Sequence, residues 1–436
     1  MRVLSADWVV PVDGQPIRDG AVAIGDDGRV AAVGTTAELG PDVEFVERFP
    51  EAVILPGFVN AHTHLEYAVY AGFGDGLAFS SWIALHVQRK ARIDLEDVEA
   101  IARLGALECL RSGVTMVGDC SFSGAAATAC ADLGLGATVY LEVFGADESA
   151  LQARFERIRE RVAGAFSKDV RLGISPHAPY TCSLDLYRAC GELGLPVATH
   201  LAESEAETQF LRTGSGSWQE FAELLVPPLG TTGIRALAEA GLLGPHVLAA
   251  HCVQADAEEI ELLAAHDVAV AHCPRSNAYL GCGIAPLAAL RAAGIRVCIA
   301  TDSPASTPSF DMFDEMRAAV TGARARERRP DALTAADALE LATLGGARAL
   351  GLADEMGSIA PGKRADLTVL SLAGSPLIPW EDPVTATVLG GSPDRVLATL
   401  VSGETRYEKG GKTWPELIDA ARSARDRLLS RAGPTS

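Results

Sequence analysis

From residue 55 to about residue 302 the chain repeats one rhythm: short apolar, β-branched runs alternate with Ala/Leu/Arg/Glu-rich stretches. The runs stop near His62, Cys120, Phe144, His177, His200, His251, His272 and Asp302. Runs apolar throughout are buried on both faces, which calls for a parallel sheet covered by helices. The intervening "DVEAIARLGALECLRS", "ALQARFERIRERVAG", "LDLYRACGELG" and "DAEEIELLAAHD" have the composition of those helices. Eight such units predict an α/β chain built on a (β/α)₈, TIM-like barrel, whose active site lies at the C-terminal strand ends. The residues that end the runs are therefore the ones to test for chemistry.

The two chain ends read differently. "RVLSADWVVPV" and "AVAIGDDGRVAAVG" at the start, then "GSIAPGKRADLTVLSL" and "VLATLVSGETRYEKG" near the end, are strand-and-turn segments, with Asp26-Asp27-Gly28 a hairpin loop. They predict a small β-sandwich domain from residues 1–54 plus 361–410, with the barrel, 55–360, inserted between them. The tail 411–436, containing "WPELIDAARSARDRLLSRAG", predicts a helix packed outside the barrel or at a subunit contact.

A formal charge of −20 argues against non-specific binding to nucleic acid or to an anionic membrane. The start "MRVLSADWVVPVDG" lacks the apolar core of a signal peptide, and no run is long enough to span a bilayer. The nine cysteines are scattered, which fits a reduced, cytoplasmic protein; Cys252 and Cys273 read as small buried hydrophobes.

In "LPGFVNAHTHLEYA" two histidines stand one residue apart, so on a strand His62 and His64 point to the same side. His200, with Glu203 just beyond it, His251 and Asp302 end other runs. Three imidazoles with a carboxylate suit a catalytic divalent metal with one position left open, and the remaining histidine and Glu203 are then free for proton transfer.

"PGFVNAHTH", "SPHAPYT", "THLAES", "AAHCV", "HCPRSN" and "ATDSPAS", in this order, resemble the amidohydrolase superfamily, in its branch of mononuclear heterocycle and nucleoside deaminases. The resemblance covers almost the whole chain, including the "PGKRADLTVL" return strand. It implies His62, His64, His200 and Asp302 as metal ligands, Glu203 as the proton relay at the substrate ring and His251 as the histidine beside the activated water. It implies for Asp302 a second role, as the base that takes a proton from that water. One divalent ion is expected, zinc before iron or manganese. The two-metal branch carries a lysine on the fourth strand, whereas "DVRLGISPHAPYT" has none and Lys168 precedes that strand.

His177, Trp82 and Glu66 are candidate substrate contacts, each with a structural alternative: loop anchoring, packing on the barrel, and support of the metal site. His272, His246 and His266 read as structural, and His86 carries no signal. Deaminating an aromatic amidine needs a nucleophile at ring carbon, a proton on ring nitrogen and a protonated leaving ammonia, all of which this set supplies.

"HTHLE" and "CPRSNAYLGCGIAPL" followed by "TDSPAS" resemble deaminases of adenosine derivatives, the aminodeoxyfutalosine deaminases and their methylthioadenosine and S-adenosylhomocysteine relatives. "TDSPASTP" and "GDGLAFSSWIALHVQRK" depart from the pattern of the sulfur-nucleoside group. The alternatives are a hydrolase releasing an alkylamine, chloride or thiol from a triazine or thiocarbamate, a guanine, cytosine or pterin deaminase, and a non-catalytic scaffold. The scaffold is disfavoured because all four ligands and both proton-transfer groups are present. The expected partners are a small-molecule substrate and further copies of the chain in a homodimer or higher homo-oligomer.

Overall fold

The apolar runs of the central region become strands because their β-branched side chains fill both faces of a buried parallel sheet. The computed structural model describes residues 1–39, 46–149, 151–376 and 380–432. Its central sheet holds Phe58–Thr63, Val114–Ser121, Gly136–Val143, Val170–Pro176, Val197–Leu201, Val247–His251, Ala269–His272 and Arg296–Ile299, each hydrogen-bonded to the next in chain order. Asp302 closes the ring, bridging Thr63 in parallel while its N–H donates to the His62 carbonyl at 3.0 Å.

That seam is held by a side chain. Asn60 is fully buried; its Oδ1 accepts the Thr301 N–H at 2.9 Å and its Nδ2 donates to Thr301 Oγ1 at 2.7 Å. The amide occupies the place of a ladder rung, and this is why the eighth strand ends at Ile299 rather than running to Asp302. The other seven strands end on, or next to, the residues expected from the sequence.

Helices cover the barrel, and several of them begin at capping residues. Asp256 and Glu259 form a reciprocal capping box at Ala257–Ala265, and the Ser204 hydroxyl accepts the Glu207 N–H at the start of Glu205–Thr213. The stretch "ALQARFERIRERVAG" is less regular than a single helix, with a π-helical turn at Leu151–Glu156 leading into the short helix Arg157–Arg161.

Both chain ends enter one eight-stranded mixed sheet, continuous in its hydrogen bonding, which is the small β domain expected from the two ends. Val46–Pro56 joins them, pairing parallel with Arg2–Val9 on one side and antiparallel with Leu367–Ser371 on the other. It passes through Gly57 directly into the first barrel strand; a Cβ at Gly57 would lie 2.2 Å from the Thr115 side chain, so only glycine fits this joint.

The tail helix Pro415–Ala432 packs along Leu95–Arg111, with Arg427 and Arg431 paired to Asp97. Its Ala421, Ala424 and Leu428 share an apolar cluster with Tyr70, Phe73 and Trp82. Residues 433–436 of the expected tail lie outside the described residues. Among the described residues no helix is long and apolar enough to cross a membrane.

Candidate active site

Over the C-terminal ends of the strands lies a cavity of about 320 Å³, with His64, His200, His251 and Asp302 in its lining. The backbone there is bent on purpose. Ala202, His251, Cys252 and Asp302, all at strand ends, have φ of 51°, 74°, 48° and 58°, in the left-handed region that non-glycine residues avoid. Such strain persists only where the surrounding structure enforces it, and it concentrates at functional sites.

Six side chains converge in two trios. The ligand atoms of His62, His64 and His200 lie within 4.8 Å of one another, and so do those of Glu203, His251 and Asp302. His64 Nδ1 donates to the Cys120 carbonyl at 2.9 Å and His200 Nδ1 to the His177 carbonyl at 2.8 Å. A carbonyl can only accept, so both Nδ1 atoms carry the proton and both Nε2 atoms of the neutral rings present lone pairs. Those two Nε2 atoms nonetheless face each other at 3.2 Å, and the Nε2 atoms of His62 and His251 are buried without a hydrogen-bond partner among the described residues. Asp302 Oδ1 points to the same place, 3.4 Å from His64 Nε2 and 3.7 Å from His62 Nε2. Converging lone pairs with no proton between them repel unless a cation sits among them, so the donor set fits a divalent metal.

Burial lowers the basicity of His62 and His64 and takes His200 down to about 4, with neighbouring imidazoles adding to the effect at His62 and His200. These rings are thus neutral at neutral pH, the form that ligates. Burial pushes the Asp302 carboxyl up, but His251, His64 and the Ser276 hydrogen bond outweigh it and hold the group below the ordinary aspartate value. Asp302 Oδ2 accepts from Ser276 Oγ at 2.6 Å and Ser306 Oγ at 2.9 Å, which leaves Oδ1 for the cation.

On the second side, Glu203 is driven well above the usual carboxylate range by burial, then by Asp302 and Glu207. Its Oε2 lies 3.7 Å from His251 Nε2. Glu207 accepts the N–H groups of Ala202 and Glu203 at 3.0 and 2.8 Å, fixing the loop that carries Glu203. His251 Nδ1 pairs with the Asn277 amide oxygen at 2.9 Å, so its Nε2 is left to the cavity.

His177 and Trp82 both line the cavity. His177 also anchors its loop, through Nδ1 to Thr181 Oγ1 at 2.8 Å, so the structural alternative holds alongside the contact with the cavity. Glu66 is corrected. Fully buried and outside the cavity wall, its carboxylate accepts the N–H groups of Phe122, Ser123 and Ala125 at 2.9, 3.1 and 3.0 Å, and the hydroxyls of Ser121 and Ser123. These donors surround the start of helix Ala125–Leu133, whose free N–H groups and positive dipole end need an anion. Glu66 is an anchor for that loop, with no oxygen left for a substrate.

His272 ends the seventh strand without lining the cavity, and His246 lies outside it. His86, which carried no sequence signal, lines the cavity and is 4% exposed. Cys252 and Cys273 are fully buried thiols, as expected. Sequence reasoning passed over Asn60, Ser276, Asn277, Ser306 and Glu207, although Ser276 and Asn277 stand in the quoted "HCPRSN".

Comparison with known proteins places this architecture. The model of the amidohydrolase family matches residues 53–406, most of the chain. The chain belongs to the amidohydrolase family. This amidohydrolase is 34% identical over 92% of its length to a protein of Methanothermobacter thermautotrophicus named 5'-deoxyadenosine deaminase, 92% of which is covered. It is 33% identical over 92% of its length to a 5-methylthioadenosine/S-adenosylhomocysteine deaminase of Moorella thermoacetica, 93% of which is covered. Its fold superposes on an adenosine deaminase of Xanthomonas campestris, solved with bound zinc, with TM-score 0.88 and 29% identity over 98% of both chains. The amidohydrolase thus has relatives named for sulfur nucleosides, the group from which its "TDSPASTP" loop departs.

Proposed function

We propose that the protein is a metal-dependent hydrolase that deaminates the purine ring of an adenosine-type nucleoside and releases ammonia. The observation that carries this reading is the pair of trios at one cavity: lone pairs converging for a cation on one side, a buried carboxyl 3.7 Å from a histidine nitrogen on the other. The relatives named as deaminases of 5'-deoxyadenosine, methylthioadenosine and S-adenosylhomocysteine support the substrate class.

His62, His64, His200 and Asp302 would hold one divalent ion, zinc in our reading, and the Xanthomonas neighbour was solved with bound zinc. Bound there, the ion would supply a water whose pKa is lowered to roughly 7. Asp302 would take a proton from the water as it adds to the ring carbon. Glu203, kept protonated by its burial, gives its proton to the adjacent ring nitrogen and so makes that carbon electrophilic. His251, with its proton held at Nδ1 against Asn277, presents Nε2 to the water that enters, accepts from it and orients its attack. Glu203, recharged by the remaining hydroxyl proton of the added oxygen, then protonates the departing amine, and the proton held by Asp302 restores the Glu203 carboxyl. His177 and Trp82 bound the cavity that holds the ring and keep bulk water out.

The domain limits 1–54 with 361–410, 55–360 and 411–436, a homo-oligomeric state and a cytoplasmic location complete the proposal. The nine buried thiols support a reducing compartment, and light scattering measures the assembly.

Ammonia release by metal-loaded protein over a panel of adenosine, 5'-deoxyadenosine, methylthioadenosine, S-adenosylhomocysteine, aminodeoxyfutalosine, guanine, cytosine and amino-triazines tests the reading. Turnover of an adenine nucleoside is expected, with Glu203→Gln retaining metal and losing about 10²- to 10⁴-fold in rate. Turnover of triazines alone, or a near-normal Glu203→Gln enzyme, would overturn it.

A further inference from the structure

The third barrel strand, Gly136–Val143, is buried along its whole length and yet includes a carboxylate, Glu142. Glu142 is 2% exposed and lines the active-site cavity, with an oxygen within 4.8 Å of ring nitrogens of His177 and His200. Among the described residues its carboxylate has no hydrogen bond and no ion pair; only its backbone carbonyl is used, accepting Arg154 Nε at 3.1 Å. The carboxylate opens onto the cavity with its hydrogen-bonding capacity unused, so the group that takes it is one that enters the cavity.

The surroundings say which kind. Lys90 and Arg154 line the same wall. Both are stacked on Phe144, with the Lys90 ammonium 4.6 Å and the Arg154 guanidinium carbon 5.2 Å from the ring centroid. Arg154 spends two of its nitrogens on the backbone carbonyls of Glu142 and Phe122. Neither cation forms an ion pair within 4.0 Å. The wall therefore offers one acceptor flanked by donors. A carboxylate on the ligand would meet Glu142 as a like charge. A pair of neighbouring hydroxyls meets all three groups: each donates to Glu142 and accepts from a cation.

The wall also lies on the correct side. In the reading above Glu203, His251 and Asp302 gather where the ring reacts, whereas Glu142 groups with His177 and His200 instead. Glu142 is thus left to a part of the substrate that does not react.

We infer that Glu142, flanked by Lys90 and Arg154, is the specificity-determining residue that receives the vicinal hydroxyls of the substrate's sugar. This rests on the nucleoside reading above and goes beyond it by naming the residues that tell a ribosyl substrate from one without the diol.

The test compares adenosine with 2',3'-dideoxyadenosine in the zinc-loaded wild type and in Glu142→Gln, with metal content measured on both. The wild type is expected to favour the diol in kcat/KM by about 10- to 100-fold, the scale of hydrogen bonds to a charged acceptor. Glu142→Gln is expected to lose most of that preference, its kcat/KM falling far more on adenosine than on the dideoxy compound, with its zinc content kept. Lys90→Met should lower the preference in the same direction. An unchanged preference in Glu142→Gln, an equal fall on both substrates, or loss of zinc would overturn the inference, the last by assigning Glu142 to the metal. A wild type that deaminates neither compound, nor any nucleoside of the panel, fails at the earlier reading and takes this one with it; the two failures are therefore distinct.

Discussion

Ser276 is the most informative residue to change, because it acts on the metal site through one atom. Its hydroxyl lies 2.6 Å from Asp302 Oδ2 and 2.8 Å from Ser306 Oγ, and Ser306 Oγ lies 2.9 Å from the same carboxylate oxygen. These three oxygens share two hydroxyl protons. The shortest contact belongs to Ser276, so its proton goes to Asp302, and that of Ser306 is divided between Asp302 and its neighbours. A hydrogen bond to a charged group contributes about 1.5–3 kcal/mol. Ser276→Ala removes one oxygen and little volume, so metal affinity should fall about 10- to 100-fold, the range known for groups that orient metal ligands. Ser306→Ala should cost less, since Ser276 still holds Oδ2. The double variant should lose more than the sum of the two, because each hydroxyl can cover part of the other's loss. Competition for zinc against a chelating dye measures all three. Affinity in Ser276→Ala within about twofold of wild type, well inside the range above, would refute the claim that these hydroxyls aim Oδ1 at the cation.

At the barrel seam, Asn60→Ala leaves the Thr301 N–H buried without an acceptor, and should cost about 1–3 kcal/mol of stability. Thermal denaturation of the metal-free protein, which excludes any change in metal binding, checks this; an unshifted midpoint would contradict the seam argument. Glu207 supplies a pH test. Burial, opposed by the N–H groups of Glu203, Ala202 and Ser204, takes its folded pKa up to about 7 from 4.5. A raised folded pKa gives stability that is complete below the unfolded value and is lost as pH rises through the folded one. The slope therefore falls between about pH 4.5 and 7 and weakens the wild type as pH rises. Glu207→Gln removes the slope, so its melting temperature relative to wild type should improve from pH 5 to pH 8; a constant difference would remove Glu207 from the account.

The sequence made the barrel and the metal donors legible for one reason: both follow from local pattern. An all-apolar run is a buried strand, and "HTH" on a strand aims two rings one way. Glu142 had a signal of the same kind, a lone charge inside the apolar run "ATVYLEV", that went unused. Glu66 was misread because adjacency to "HTHL" suggested the site, whereas the single turn Leu65–Tyr67 swings its side chain toward Ser121 and Ala125. Asn60 carried no readable signal, because its partner is 241 residues away and meets it only through closure of the barrel, whereas Ser276 and Ser306 stood inside quoted motifs and were passed over because a serine alone names no partner.

The strained backbone gives a last test of how the site is held. Asp302 sits at φ 58° while its N–H closes the barrel on His62, so the ladder bond and the left-handed turn come together. For most residues with a Cβ that turn costs about 1–2 kcal/mol; aspartate tolerates it through local hydrogen bonding, and glycine tolerates it freely. Asp302→Ala and Asp302→Gly both remove the carboxylate, its serine partners and the metal ligand, so these losses cancel when the two are compared. At an ordinary position glycine is the less stable of the pair by about 0.5–1 kcal/mol. At Asp302 the order should be equal or reversed, with the glycine variant melting at or above the alanine variant in metal-free buffer. If alanine proves more stable by the ordinary margin, the left-handed turn is not imposed by barrel closure, and the site's geometry must be held by the metal instead.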